Sequence, residues 1–189
     1  MHWRSWAIGA KRGGRMRVDR PEVPRLPDSP QLPEGGFDGR DAFESHVRLA
    51  LEAAAAQGWR EITLSDSCFS DWPLGDRSTV AALNAWSATG RSCVVLAKNF
   101  DVFARRHARF VQWRQTWSHI VDCRVCNSAG APAVPSAIWT PTWFLQRIDT
   151  DRGRGVCGGD RERRGALREL LDECLRQSVP GFPASTLGL

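Results

Sequence analysis

Residues 92–97 read Ser92-Cys93-Val94-Val95-Leu96-Ala97, an uncharged run with two β-branched valines at its centre. A near-continuous apolar run of this length suits a strand buried on both faces, not one that alternates between core and water. Helical periodicity flanks it on both sides. Upstream, Val80, Leu83 and Trp86 share one face of a helix over about 77–89, with Gly90 at its end. Downstream, Val102, Phe103, Phe110, Trp113 and Trp117 line one side of a predicted helix from about Asp101 to Trp117.

The same alternation extends outward. Phe43, Val47, Ala50, Leu51 and Ala54 recur at three and four, so a helix capped by Asp41 and ending near Gly58 precedes a short strand at Glu61-Ile62-Thr63-Leu64. Residues 65–76 form a loop by their turn chemistry. Beyond the third helix come a strand over Ile120 to Val125, a loop rich in Ala, Pro and Ser over 127–137, and strands at 142–148 and 153–159. The last helix, about 160–177, buries Leu167, Leu170, Leu171, Cys174 and Leu175. Strands separated by helices imply right-handed crossovers. The expected fold is therefore α/β: three layers, a mostly parallel sheet with helices on both faces, and an antiparallel pair at one edge.

Composition agrees. The 189 residues are 42% apolar and 25% charged, which excludes a disordered chain or a collagen-like rod for most of the length. No run of about 18 apolar residues exists, so no membrane-spanning segment is expected. Six Cys are too few for a disulfide scaffold.

The net charge of +5 sits in the first 25 residues, which hold seven basic groups against Asp19 and Glu22; the rest of the chain is balanced. A neutral core argues against nucleic acid as its partner, while the basic leader could attract polyanions weakly. Residues 1–36 read as a disordered, Pro-rich basic leader, with Pro21, Pro24, Pro27, Pro30 and Pro33 at polyproline spacing. Its apolar stretch, Trp6 to Ala10, is too short for a secretory signal, so a cytoplasmic location is expected, and Met16 is an alternative start. Residues 37–178 form the single domain. Residues 179–189 form a tail that ends in apolar residues and docks on the body.

In open α/β sheets, ligands collect beyond the carboxyl ends of the parallel strands. Those ends carry Asp66, Asp71 and Trp72 after one strand and Lys98, Asn99 and Asp101 after the next. Asp66, Asp71 and Asp76 also suit plain turn capping. On the third helix Arg105 and Arg109 form a solvated face. Arg106, His107 and Arg114 fall toward the aromatic side, where a buried guanidinium must find a carboxylate or a ligand phosphate. Asp66 and Asp71 are the carboxylates placed to meet them. Cys123 and Cys126 form a C-x-x-C with His119 nearby, but strand alternation sends the two thiols to opposite faces, so no metal site is expected.

From about Phe43 to Leu175 the element order resembles one half of the phospholipase D-like fold. That family's active half carries a His, a Lys two residues later, an Asp seven after the His, and then a Gly-Ser-x-Asn. Placing Asp149 at the Asp puts Thr142 at the His and Phe144 at the Lys, with Gly158 and Gly159 near the Gly-Ser turn. No His-x-Lys occurs. His46-x-Arg48 and His107-x-Arg109 come nearest, with Ala53 and Arg114 where the Asp is required. The resemblance implies a scaffold that has lost its catalytic pair, and, because such halves commonly work in pairs, a homodimer.

The leading expectation is thus a non-catalytic domain that needs no cofactor. It binds a partner or a phosphate-bearing ligand through Asp66, Asp71, Trp72, Asn99, Arg106, His107 and Arg114. The alternative is a phosphoester hydrolase or phosphoryl-transfer enzyme with His107 as acid/base, Arg106 and Arg114 clamping phosphate, and Asp66 or Asp71 orienting. A third expectation is self-association through the tail or through exposed Trp residues.

Overall fold

The computed structural model describes residues 30–184. The expectations placed on the leader up to residue 29, Met16 among them, and on the last five residues concern residues outside that range. The central run forms a strand at Ser92–Ala97 (β3), flanked on one side by Glu61–Asp66 (β2) and on the other by Val121–Val125 (β4), all parallel. Between them lie helices Arg77–Ser87 (α2), Phe103–Arg106 (α3) and Ala108–Thr116 (α4), with Arg40–Gln57 (α1) ahead of β2. Gly58 closes α1 in the left-handed region at φ 65°, where glycine carries no steric penalty. Gly90 follows α2 so closely that a Cβ there would collide with the Trp86 ring.

The sheet is mixed, which corrects the expectation of a mostly parallel one. Ser136–Trp139 (β5) runs antiparallel to β2, and Phe144–Asp149 (β6), Arg154–Gly158 (β7) and Gly35–Phe37 (β1) continue antiparallel from it. Val179–Pro180 (β8) adds to the far side of β4, giving the order β1-β7-β6-β5-β2-β3-β4-β8. The neighbours β2, β3 and β4 are joined by helical crossovers, and α1 and α5 carry the chain across the sheet from β1 to β2 and from β7 to β8. Strands β5, β6 and β7 are joined by short turns, and short connections permit only antiparallel neighbours.

Helices do cover both faces. Phe43, Val47, Leu51, Leu83, Trp86 and Phe110 pack on Ile62, Leu64, Cys93, Val95 and Cys123. On the other face Arg161–Arg176 (α5) sets Leu167, Leu171 and Cys174 on Leu96, Ala137, Trp139 and Phe144. Leu170, expected inside, is exposed on α5. The domain reaches past its expected limits at both ends, since β1 begins at Gly35 and β8 lies in the tail. Of the tail, residues 179–184 are described, and there the Phe182 ring stacks on Phe100 at 5.0 Å and 11°. No helix among the described residues is long and apolar enough to cross a membrane.

Local expectations differ at several places, the first being β2, which runs on to Asp66 and takes Ser65 and Asp66 from the loop expected over 65–76. Gly39, not Asp41, stands at the head of α1. The segment 127–137 yields its last residues to β5. The helix foreseen over 101–117 is two helices broken at His107, whose backbone leaves the helical region at φ −121°, ψ 36°. The loop after β2 lies against that break, and a Cβ on Gly75 would collide with the Arg106 carbonyl.

Candidate functional site

Asp66 is the last residue of β2 and is only 3% exposed. Its Oδ1 accepts from the backbone N–H groups of Cys68 at 3.0 Å and Phe69 at 2.8 Å, an arrangement that folds the loop back on itself. Its Oδ2 accepts from the Trp72 indole at 3.0 Å and from Arg147 at 2.7 Å. Arg147 comes from β6, two strands away, and its Nε donates to the Ser136 hydroxyl on the intervening β5 at 2.7 Å. The guanidinium lies over the Phe43 ring, 4.0 Å from its centroid.

Burial pushes the Asp66 carboxyl up. Hydrogen bonds from Ser136, the Cys68 and Phe69 amides and the Trp72 indole outweigh that and hold it below the ordinary carboxylate value. Asp71, half-buried at the loop's edge, stands 3.5 Å from both Arg147 and Arg40. Both carboxylates that were expected to meet Arg106 or Arg114 therefore face other arginines. The signal for Arg147 was present in the sequence: it shares alternation with Leu145, which places a guanidinium in the inward series of a strand.

The basic groups of the third helical segment do reach the loop, but they bind its backbone. The His107 Nε2 lies 2.9 Å from the Phe69 carbonyl, which makes the Nε2–H tautomer the donor, and Nδ1 is buried without a partner among the described residues. Burial lowers the imidazole below its ordinary value; the Phe69 bond opposes this and the Arg106 charge adds to it. Arg106 is exposed, not buried, and donates to the Ser70 carbonyl at 3.0 Å. Arg114 is buried and meets no carboxylate among the described residues. Its Nε donates to the Cys123 sulfur at 2.9 Å, its guanidinium carbon lies 5.2 Å from the centroid of the Phe182 ring, and one terminal nitrogen has no partner among the described residues.

Trp72 is buried, and Asn99 accepts from the Asp101 amide at 3.3 Å. The structure thus brings Asp66, Asp71 and Trp72 together and sets His107 and Arg106 against the same loop. Arg114 and Asn99 take other partners. Cys123 and Cys126 fall in the two different core clusters, on opposite faces of the sheet, so their thiols do not converge. Of the described Trp residues Trp117 alone is not buried, so they offer little exposed indole for self-association.

Two openings bear on the expected sites, one beside this packed turn and one toward the opposite end of the sheet. One, about 310 Å³, lies at the carboxyl ends of β2, β3 and β4 and is lined by Ser67, Lys98, Cys126, Asn127 and Ser128 over a floor of Ala131 to Val134. The Lys98 and Asn99 amides both donate to the Ser67 carbonyl, at 3.1 and 3.2 Å, which draws the two strand ends together at its rim. Lys98 is exposed and forms no ion pair among the described residues.

The other opening, about 840 Å³, is lined by Phe144, Gly158 and Gly159, positions that the resemblance set on the phospholipase D motif, and by Glu34, Asp160, Glu162 and Arg163. Its lining contains no imidazole and three carboxylates, a poor setting for attack on a phosphate. Thr142, at the position of the family's His, is an exposed turn residue.

No protein-family model and no curated protein matches the chain. Among solved structures it is similar to one described as "Structure of TrmBL2, an archaeal chromatin protein, shows a novel mode of DNA binding", with a TM-score of 0.53 and 12% identity. The match covers 87% of this chain and 57% of that one, so the chain spans little more than half of its neighbour. Likeness at that identity concerns the fold.

Proposed function

We propose that this chain is a non-catalytic binding domain that takes a small phosphate-bearing ligand in the crevice at the carboxyl ends of β2, β3 and β4. Lys98 carries the reading: it is an ammonium at the rim of the crevice with no carboxylate partner among the described residues. The Ser67 and Ser128 hydroxyls and the Asn127 amide add donors, and the Ala and Pro floor suits a small apolar group on the ester. The volume lies at the low end for small-molecule sites, which favours a monophosphate.

The scaffold reading goes with it. A phospholipase D-like half with Thr142 and Phe144 in place of its catalytic pair keeps the fold and loses the nucleophile. The hydrolase alternative is weaker because both nitrogens of His107 lie in the interior, one of them bonded to main chain.

Calorimetric titration with glycerol phosphate and inorganic phosphate tests the proposal. Lys98→Ala is expected to weaken binding about tenfold, which corresponds to about 1.4 kcal/mol. Equal affinity in the variant would overturn the site. Phosphodiester turnover lost in His107→Ala would overturn the non-catalytic reading.

A further inference from the structure

Overall neutrality of the core hides an uneven distribution. Between Arg77 and Val121 the chain holds seven basic residues and one acid, Asp101. This segment builds α2, β3, α3 and α4, and α2 packs against α4. Arg77, Arg105, Arg106 and Arg109 are all exposed, and none forms an ion pair among the described residues. The nearest carboxylate in sequence to Arg77, Asp76, is held by Arg48 at 2.8 Å. Arg106 and Arg109 each donate once to the loop, to Ser70 and Gly75, both at 3.0 Å, so their charges are fixed in position. Arg77 and Arg109 border a groove of about 530 Å³ between α2 and α4, together with Asn84, Gln112 and Thr116.

We infer that this helical face binds the phosphate backbone of duplex DNA. Guanidinium groups match phosphate oxygens in geometry as well as charge, and exposed amides and hydroxyls are the usual additional backbone contacts. Screening limits each charge to a range of about 10 Å at 0.1 M salt, so acids elsewhere on the domain do not cancel a local cluster.

Two observations select the partner. Among the described residues the large exposed apolar side chains are Ile148, Leu170 and Val179, on β6, α5 and β8, so none of them stands on this face to insert into lipid. Single strands need free aromatic rings to stack on. Trp113 is buried, and the Trp117 indole donates to Asn84 with its ring beside His119.

Fluorescence anisotropy of the full chain with a mixed-sequence duplex of about 20 base pairs, over a range of NaCl, tests this. Four phosphate contacts give a slope of log affinity against log salt of about −3.6. Arg77→Glu with Arg105→Glu, at positions free of side-chain hydrogen bonds, is expected to weaken binding at least tenfold and flatten the slope by about two. The neutral pair Arg77→Gln and Arg105→Gln should flatten it similarly, and an unchanged thermal melt shows that the fold is intact. The basic leader is separated by Arg12→Glu with Arg15→Glu: binding lost there and kept in the helix variants overturns the inference. So does equal affinity for single-stranded DNA, or preference for phosphatidylserine vesicles. Lys98→Ala should leave duplex affinity unchanged, which keeps failure of the crevice distinct from failure of the face.

Discussion

The domain buries two arginines, Arg147 and Arg114, and surrounds them in opposite ways. Arg147 has a carboxylate at 2.7 Å, a hydroxyl at 2.7 Å and an aromatic ring beneath its plane. Arg114, as deeply placed between α4 and β4, has a thiol, the Phe182 ring and a terminal nitrogen with no partner. Burial pushes the Cys123 thiol up, and the Arg114 contact offsets this only in part, so sulfur there is no counter-ion. Equal burial is therefore not equal function in the fold. Arg147 ties the antiparallel half of the sheet to the loop after β2, whereas Arg114 is tolerated more than it is used.

The largest effect should follow from removing the paired arginine. Arg147→Met leaves the Asp66 carboxylate buried beside fewer donors, and breaking a buried pair in this way costs about 3–5 kcal/mol. Urea denaturation would register it as a large fall in midpoint. A loss below about 1 kcal/mol would mean that the two halves of the sheet do not depend on the pair.

A smaller effect appears in acid. The folded value of Asp66 lies below its unfolded one, so its stabilisation is complete above about pH 4 and is lost as pH falls through the folded value. Melting temperature between pH 2 and 6 should decline less steeply for Asp66→Asn, from a lower plateau. Parallel curves would remove Asp66 as the source. The smallest effect is expected from Arg114→Met, which deletes an unsatisfied buried nitrogen along with the thiol contact and should leave stability within about 1 kcal/mol of the parent. A loss as large as that of Arg147→Met would erase the contrast.

The contrast also explains what the sequence conveyed. The run Ser92–Ala97 and its flanking helical periods gave β2, β3, β4 and the helices between them, because local apolar spacing records which face is buried. The antiparallel half was less legible. All four residues of β5 are buried, so no alternation marks it, and Pro132 and Pro135 just ahead make the segment read as loop. The loop after β2 was legible from its turn chemistry, and His107 and Arg106 bond its backbone. Alternation marks Arg147 as inward, but spacing could not supply its pairing with Asp66, 81 residues away, since pairing across three strands depends on sheet order. Charge behaved likewise: division along the chain isolated the leader but did not show that helices α2, α3 and α4 carry exposed arginines with no ion pair among the described residues.

Partnered charge builds this domain, and charge left unpartnered at its surface is what a ligand can meet. Amide chemical-shift mapping of the full chain during titration with glycerol phosphate tests that directly. The account predicts shifts concentrated at Ser67, Lys98, Asn127 and Ser128, with Asp66, Asp71 and His107 unmoved. Shifts centred on Asp66, Asp71 and His107, with Lys98 silent, would contradict it.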